Sequence, residues 1–174
     1  MNYDFLEEDF DHAKKFAEFI GKDLNYYKYL HNTEEESIAK RILERGFHFE
    51  SHLDHTTDLI SGTDLIELKY FLIKRKRYGN YTIVIEIDKN IVDYLSRQIA
   101  KTPYHFSEIL TNEAPFKGEN DEPVYNLPVQ FIKGYFNHIN HQRVFNKHFQ
   151  PDFYPEYFNT NIRNLLSGLN NNLS

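Results

Sequence analysis

The chain has 174 residues, of which 40% are hydrophobic and 16% aromatic, so it is long and apolar enough for one domain with a real core. It contains no cysteine, which excludes disulfides, thiolate catalysis and thiolate metal sites. A formal net charge of −6 gives no overall attraction to nucleic acid or to anionic membranes, although the run "KRKR" at 74–77 is a local exception.

The first residues, "MNYDFLEEDFDH", do not have the order of a signal peptide. They are acidic, whereas a signal peptide places a basic segment before an apolar one. No uninterrupted apolar run approaches the roughly 18 residues that are needed to cross a bilayer. We therefore expect a soluble, cytoplasmic protein that does not partner with a membrane.

An amphipathic helix is the first predicted element. Apolar residues recur at helical spacing between acidic ones over residues 4–20, and Gly21 follows where a helix would exit. We expect this N-terminal helix, within residues 1–21, to pack on the core. Residues 24–31 are aromatic and apolar enough to predict a short, mostly buried strand that ends at His31.

A second helix is predicted to begin at Thr33. Thr33 and Glu36 form the Ser/Thr-x-x-Glu pattern of a capping box, in which each side chain satisfies the backbone N–H of the other residue. Apolar residues around Ile42 predict a buried stripe, and Gly46 lets the helix stop.

The second half of the chain mixes strands and helices. Residues 47–64 are polar, rich in His and irregular, whereas residues 64–78 predict a helix that ends near Gly79, with a strand as the alternative. Residues 81–87 are the clearest strand, and their β-branched residues predict burial on both faces. The remaining predictions are a helix over 91–100, strands over 107–111, 122–127 and 129–136, and a frayed polar tail over 165–174.

This order of elements predicts a mixed α+β fold. The chain shows no internal repeat and no Pro-, Gly- or Ser-rich linker. We therefore expect a single compact domain over residues 1–174.

His31-Asn32-Thr33, followed by "ILERGF" at 42–47, is the most informative short pattern. A histidine at the end of a buried strand can point its ring into a cleft and hold a ribose hydroxyl or a carboxamide. The segment resembles the first conserved strand and helix of the ADP-ribosyltransferase superfamily, which includes the poly-ADP-ribose polymerases and related bacterial toxins. The family pattern is roughly strand, His-Gly-Thr/Ser, helix, and Asn32 stands at the Gly position. The resemblance implies that His31 contacts the nicotinamide-side ribose of NAD, while the backbone beside it, at Asn32 and Thr33, clamps the carboxamide.

A second part of the resemblance follows at the expected distance. "GFHF" at 46–49 is similar to the family's "G.yf" element, and "TTD" at 56–58 is similar to its "Ts" strand. The family's tyrosine, which stacks on nicotinamide, would fall at His48 or Phe49. The resemblance implies that these two positions bind NAD and that Thr57 supports the pocket.

The third part is a carboxylate on a late strand. Cleavage of the glycosidic bond of NAD needs a carboxylate that holds a ribose hydroxyl and stabilises positive charge as nicotinamide leaves. Glu122 opens "EPVYNLPVQFIKGYF", whose spacing of Glu, Gln and Tyr looks like the last strand pair of the polymerases. Glu108 in "SEILT" resembles a strand of several bacterial toxin branches. One of the two is expected to be catalytic, together with His31.

The nine histidines raise a metal hypothesis. His48, His52 and His55 cluster in the sequence, and His138 and His141 are three residues apart. Neither group has a recognised metal-binding spacing such as His-Glu-x-x-His, so we expect no metal. The basic run at 74–77 could meet phosphates, but it also suits the C-terminal end of a helix.

Taken together, the similar segments cover about residues 27–136. The resemblance implies a split, strongly twisted antiparallel or mixed sheet with flanking helices and NAD as the substrate. The expected activity is transfer of ADP-ribose with release of nicotinamide, to an acceptor that the sequence leaves open between protein, nucleic acid and small molecule. The alternative is a non-catalytic binding or interaction domain of the same fold. A third hypothesis is a metal-dependent enzyme that uses His48, His52 and His55.

Overall fold

A computed structural model describes residues 7–49, 57–60, 65–90, 92–93, 116–117 and 123–152, which form a mixed α+β fold. The described helices are α1 (Glu7–Ile20), α2 (Glu36–Arg45) and α3 (Leu65–Lys74). The described strands are β1 (Tyr26–Thr33), β2 (Phe47–Phe49), β3 (Thr57–Ile60), β4 (Tyr81–Asp88), β5 (Phe116–Lys117), β6 (Pro123–Leu127), β7 (Ile132–Asn137) and β8 (Arg143–Phe145).

The larger sheet has five described strands in the order β3-β1-β4-β7-β8. Each neighbouring pair is antiparallel. The longest pairing joins β1 to β4 along the whole of both strands, from Tyr26 opposite Asp88 to Thr33 opposite Tyr81. The predicted strand over 81–87 is confirmed as β4, and it is buried on both faces from Thr82 to Ile87.

A smaller sheet has three described strands in the order β2-β6-β5, again with antiparallel neighbours. The chain leaves this sheet at Leu127 and enters the larger one at Ile132. A 3₁₀ turn, Val129–Phe131, makes that connection and contacts both α2 and β4. This short connection joins the two sheets and packs against β4, a central strand of the larger sheet.

One face of the larger sheet lies under α1 and α3. The apolar core there joins the sheet residues Leu30, Val84 and Phe136 to buried residues of both helices. The helix residues of this core are Ala13, Phe16, Phe19, Ile20, Leu68, Phe71 and Leu72. The predicted N-terminal helix is confirmed as α1, and Gly21 follows it with a positive φ of 80°.

Charged side chains are buried beside this core, two residues along the strands from the Leu30–Val84 pair. Lys28 and Glu86 are cross-strand partners, and Lys28 Nζ lies 2.5 Å from Glu86 Oε1. Lys133 Nζ lies 3.2 Å from the same oxygen and donates to the carbonyl of Ile20. Lys28 is 2% exposed, so its charge depends on Glu86 for compensation. We call Lys28, Glu86 and Lys133 the lysine cluster.

The other face of the larger sheet meets α2, which contacts β1, β4 and β7. Ala39, Ile42 and Leu43 are the buried residues of this helix. Gly46 ends it with a φ of 84°, as its position at the helix exit predicts.

The predicted start of the second helix is wrong. α2 begins at Glu36, and Glu35 at its N-cap makes no side-chain cap hydrogen bond. Thr33 forms no capping box, because it is the last residue of β1, pairs with Tyr81 and is buried. Sheet pairing thus extends the strand two residues beyond His31, the predicted end.

Two further predictions of elements need correction. The predicted irregular loop at 47–64 contains β2 and β3, because both segments pair with strands that are distant in sequence. The predicted strand at 129–136 begins with a 3₁₀ turn after Pro128, and its β part starts at Ile132. β8 was not predicted. The predicted helix at 91–100, apart from residues 92–93, the strand at 107–111 and the tail at 165–174 lie outside the described residues.

A close backbone contact holds the turn before β4 against the end of β1. Gly79 has a φ of 124°, and a Cβ there would lie 2.1 Å from the carbonyl oxygen of Thr33. A side chain at this position would collide with backbone, so the contact requires glycine. Within the part of the chain that is described, no helix has the length and apolar content to span a membrane.

Candidate functional site

The segment His31-Asn32-Thr33 lies inside β1, and its side chains alternate between the two faces of the sheet. Asn32 faces the side that α1 and α3 cover, where Thr82 Oγ1 donates to its Oδ1 over 2.6 Å. His31 and Thr33 therefore share the α2 side of the sheet. His31 is half-buried there and Thr33 is buried.

β3 lies directly beside the histidine. His31 and Thr57 are Cα partners in the β1–β3 ladder, which runs back from there to Lys28 opposite Ile60. Among the described residues, the β1–β3 pairing stops at the His31–Thr57 pair, while β1 continues to Thr33. The structure thus brings together two predicted site residues that are 26 positions apart in sequence.

A tyrosine and a carboxylate lie on the same face as His31. The row across the sheet from His31 passes through Ile83 to Tyr135. The Tyr135 hydroxyl donates to Glu36 Oε1 over 2.8 Å. Burial and this hydrogen bond raise the pKa of Tyr135 above its usual range, so the hydroxyl stays protonated and oriented.

Tyr81 extends this wall in the next row. It is the cross-strand partner of Thr33, and its ring makes an edge contact with Tyr135 at 6.1 Å between centroids. Sequence reasoning did not identify Glu36, Tyr81 or Tyr135 as site residues. Tyr81 could have been found from the sequence, because it is two residues from Ile83 on the predicted strand and therefore shares its face. Tyr135 comes to the same face only through the pairing of β4 with β7.

In the smaller sheet, the predicted nicotinamide-stacking positions 48 and 49 pair with β6, the strand that follows Glu122 in the sequence. His48 pairs with Asn126, and Phe49 pairs with Tyr125. Glu122 directly precedes β6 in the sequence but lies outside the described residues, as does Glu108. The separation of either carboxylate from His31 stays a prediction.

Asn32 is also the end of a chain of hydrogen bonds that leads to α1. Thr82 Oγ1 lies 2.6 Å from His138 Nε2, and His138 Nδ1 lies 2.7 Å from His12 Nε2. His141 stacks on His12 with 4.4 Å between ring centroids. We call Asn32, Thr82, His138 and His12 the histidine cluster.

The order of donors in the histidine cluster fixes the tautomer of His138. Thr82 gives its one hydroxyl hydrogen to Asn32, so its oxygen must accept from His138 Nε2–H. His138 Nδ1 then accepts from His12 Nε2–H. Both ring nitrogens of His138 are used, so this ring has no lone pair left for a metal.

The histidine cluster is built around a neutral ring. Burial lowers the pKa of His138 to about 2, and the nearby Arg75, His12 and His141 add to the effect. Arg75 is itself buried, and burial lowers its pKa to about 10. Among the described residues, no group of three or more His, Asp or Glu is arranged to hold a metal ion. The histidines at 52 and 55 lie outside those residues.

Comparison of the chain with models of known protein families, with curated proteins and with solved structures finds no match. The candidate site is therefore defined by its own geometry. Its described parts are the His31 face of β1 with Thr57 beside it, the Glu36–Tyr135 pair, and the β2–β6 pairing.

Proposed function

We propose that this protein is an ADP-ribosyltransferase that binds NAD at the His31 face of β1 and releases nicotinamide. The observation that carries the proposal is the strand pairing of the segments that resemble the superfamily. His31 lies opposite Thr57, and the His48–Phe49 segment pairs with the strand that follows Glu122. Segments far apart in sequence are thereby brought into two strand pairs, one in each sheet, and under the proposal these two pairs contribute to one ligand site.

Asn32 at the usual glycine position is compatible with this proposal. Its side chain is on the opposite face from His31 and is held there by Thr82. It therefore does not fill the space in front of His31 and Thr33. The backbone of Asn32 and Thr33 follows the His31–Thr57 pair in β1, and the resemblance implies that this backbone clamps the carboxamide of NAD.

The division of the described strands into two sheets supports the split-sheet arrangement that the resemblance implies. Under the proposal, the His31 wall and the β2–β6 wall border one cleft. Thr33 and Thr57 would support the pocket, and an aromatic side chain at 48 or 49 would pack on the nicotinamide ring.

The proposed catalytic group is Glu122 or Glu108. Its carboxylate would hold a ribose hydroxyl and stabilise the positive charge that develops on the sugar as the bond to nicotinamide breaks. His31 would position the same ribose by hydrogen bonding. The acceptor could be a protein, a nucleic acid or a small molecule.

The test measures two quantities side by side, namely nicotinamide release from NAD and the thermal shift that NAD causes. We expect wild-type protein to show both, since a ligand that binds the folded state raises the melting temperature by mass action. One of E108Q and E122Q should lose nicotinamide release and keep the thermal shift, because the charge matters most in the transition state. Glu44→Gln, an exposed change on α2, is the matched control.

His31→Ala should weaken the thermal shift as well as turnover, because it removes a contact made in the ground state. His148→Ala, at an exposed histidine, should change neither quantity. If neither E108Q nor E122Q lowers nicotinamide release, the assignment of the catalytic carboxylate to these two residues is wrong. A wild-type protein with a thermal shift but no turnover would favour the alternative, a non-catalytic binding domain, and the absence of both signals would contradict NAD binding.

A further inference from the structure

The outer side of α3 is an exposed surface that the candidate NAD site does not use. Leu68, Phe71 and Leu72 face the core. Ile66, Tyr70 and Ile73, spaced by four and three residues on the opposite side, are 65%, 61% and 41% exposed. α3 is therefore apolar on both sides, and one of them is open to solvent.

The charge of this segment is opposite to that of the rest of the chain. Residues 68–80 contain five cations and no carboxylate, out of 20 cations and 26 carboxylates in the chain. Lys74 lies in the last turn of α3, where a cation suits the helix dipole. Lys76 and Arg77 are exposed and lie beyond the α-helix, in the 3₁₀ turn Arg75–Arg77.

Aromatic rings alternate with these cations. Tyr78, which follows the 3₁₀ turn, is 52% exposed, and Tyr70 lies one α-helical turn before Lys74. At the neighbouring edge of α1, Phe10 is 55% exposed, and Lys69 Nζ lies 5.4 Å from the centre of its ring. Exposed rings beside cations can stack on bases while the cations meet phosphates.

We propose that Tyr70, Ile73, Lys74, Lys76, Arg77 and Tyr78, the α3 surface, bind single-stranded nucleic acid. The cations neutralise backbone phosphates, and the two tyrosines stack on unpaired bases. Charge complementarity identifies the occupant, since an otherwise acidic protein concentrates its cations here. The inference does not depend on NAD binding.

A single strand suits the α3 surface better than a duplex or a membrane. The faces of paired bases are covered by their neighbours, so a duplex offers nothing for the tyrosine rings to stack on. Membrane binding scales with the apolar area that enters the bilayer, and the core side of α3 is already covered by protein.

The experiment measures fluorescence anisotropy of a labelled oligothymidine or oligouridine of about 16 nucleotides, and of a DNA duplex of the same length. We expect the single strands to bind more tightly than the duplex, with affinity that falls steeply between about 50 mM and 200 mM salt. The double variant K76E/R77E should weaken binding by at least about tenfold. K40E/R41E makes the same charge change at two exposed positions on α2 and should retain binding.

The ring contribution is tested separately. Tyr78→Ala should weaken single-strand binding by about fivefold or more, and Tyr78→Phe should restore most of it, because the ring and not the hydroxyl stacks. Thermal melting of each variant checks that the fold is intact. Failure of wild-type protein to bind either single strand at the lower salt would overturn the proposal. Equal losses of single-strand affinity in K76E/R77E and K40E/R41E would also overturn it, as would tighter binding to the duplex. Binding to phosphatidylserine vesicles or polyglutamate in place of the oligonucleotides would overturn it as well.

Discussion

The lysine cluster and the histidine cluster lie at two ends of the same sheet face, separated by the apolar row of Leu30 and Val84. At one end two ammonium groups share a single carboxylate oxygen. At the other end, four polar side chains are linked by three successive hydrogen bonds, and the buried His138 is uncharged. α1 contacts both ends, through the Ile20 carbonyl at the lysine cluster and through His12 at the histidine cluster, so the difference lies in the chemistry of the side chains.

The lysine cluster and the histidine cluster bury polar groups beside one core in two different ways. A buried ion pair must recover the large cost of removing charges from water, and it fails badly when one partner is lost. A neutral hydrogen-bonded chain costs less to bury, but every donor and acceptor in it must be matched. The histidine cluster also ends at Asn32, between His31 and Thr33, so it holds the strand that carries the candidate site.

The largest expected effect is at the lysine cluster. Glu86→Gln removes the carboxylate and leaves Lys28 buried with no opposite charge among its described contacts. We expect the free energy of unfolding to fall by about 3–5 kcal/mol, the usual cost of breaking a buried pair. Urea unfolding followed by circular dichroism measures it.

Two further variants control that measurement. Glu44→Gln makes the same chemical change at an exposed position and should stay within about 0.5 kcal/mol of wild type. The double change K28M/E86L replaces the pair by apolar side chains and should cost less than Glu86→Gln alone. A larger loss in the double variant would contradict this account of the lysine cluster.

The second effect concerns pH and the histidine cluster. The folded protein keeps His138 neutral, with a pKa near 2, whereas an unfolded chain protonates it near its ordinary pKa of about 6.5. The unfolded state therefore binds one more proton in acid, so this contribution to stability is complete above about pH 6.5 and is lost as pH falls. Between about pH 7 and pH 5 we expect a loss of about 2 kcal/mol from this group.

His138→Gln isolates that contribution. Its amide can accept from His12 and donate to Thr82, as the ring does, but it does not titrate. Urea unfolding at both pH values should show a weaker pH dependence in His138→Gln, and an unchanged one in His148→Gln at an exposed site. An unaltered pH dependence in His138→Gln would mean that the buried ring is not kept neutral.

Elements with strong local periodicity were predictable from the sequence. α1 and β4 each carry a regular apolar pattern, and they form close to the predicted residues. α3 forms within the predicted range 64–78, although its dense apolar residues left a strand as the alternative. β3 and β8 are only four and three residues long, and they exist because β1 and β7 offer them backbone partners. The β1–β3 pairing joins residues distant in sequence, which local pattern does not encode, whereas β8 pairs with the nearby β7 and is too short to show a strand pattern of its own.

The candidate site was predictable to a similar degree. The resemblance to a known family pointed to His31, Thr33 and Thr57, and the pairing of β1 with β3 places Thr57 opposite His31. The Ser/Thr-x-x-Glu pattern suggested a helix cap at Thr33, but pairing with Tyr81 overrode it. The histidine cluster joins residues from four parts of the chain, so only the folded arrangement could reveal it.

The smallest of the three effects is expected for Thr82→Val, which keeps the shape of the side chain and removes the hydroxyl between Asn32 and His138. Both partners then lose a hydrogen bond in a buried site, so we expect a loss of roughly 1 to 2 kcal/mol in urea unfolding. Thr82→Ser keeps the hydroxyl and should cost less than Thr82→Val. No measurable loss of stability in Thr82→Val would remove Thr82 from the histidine cluster as a hydrogen-bonding link.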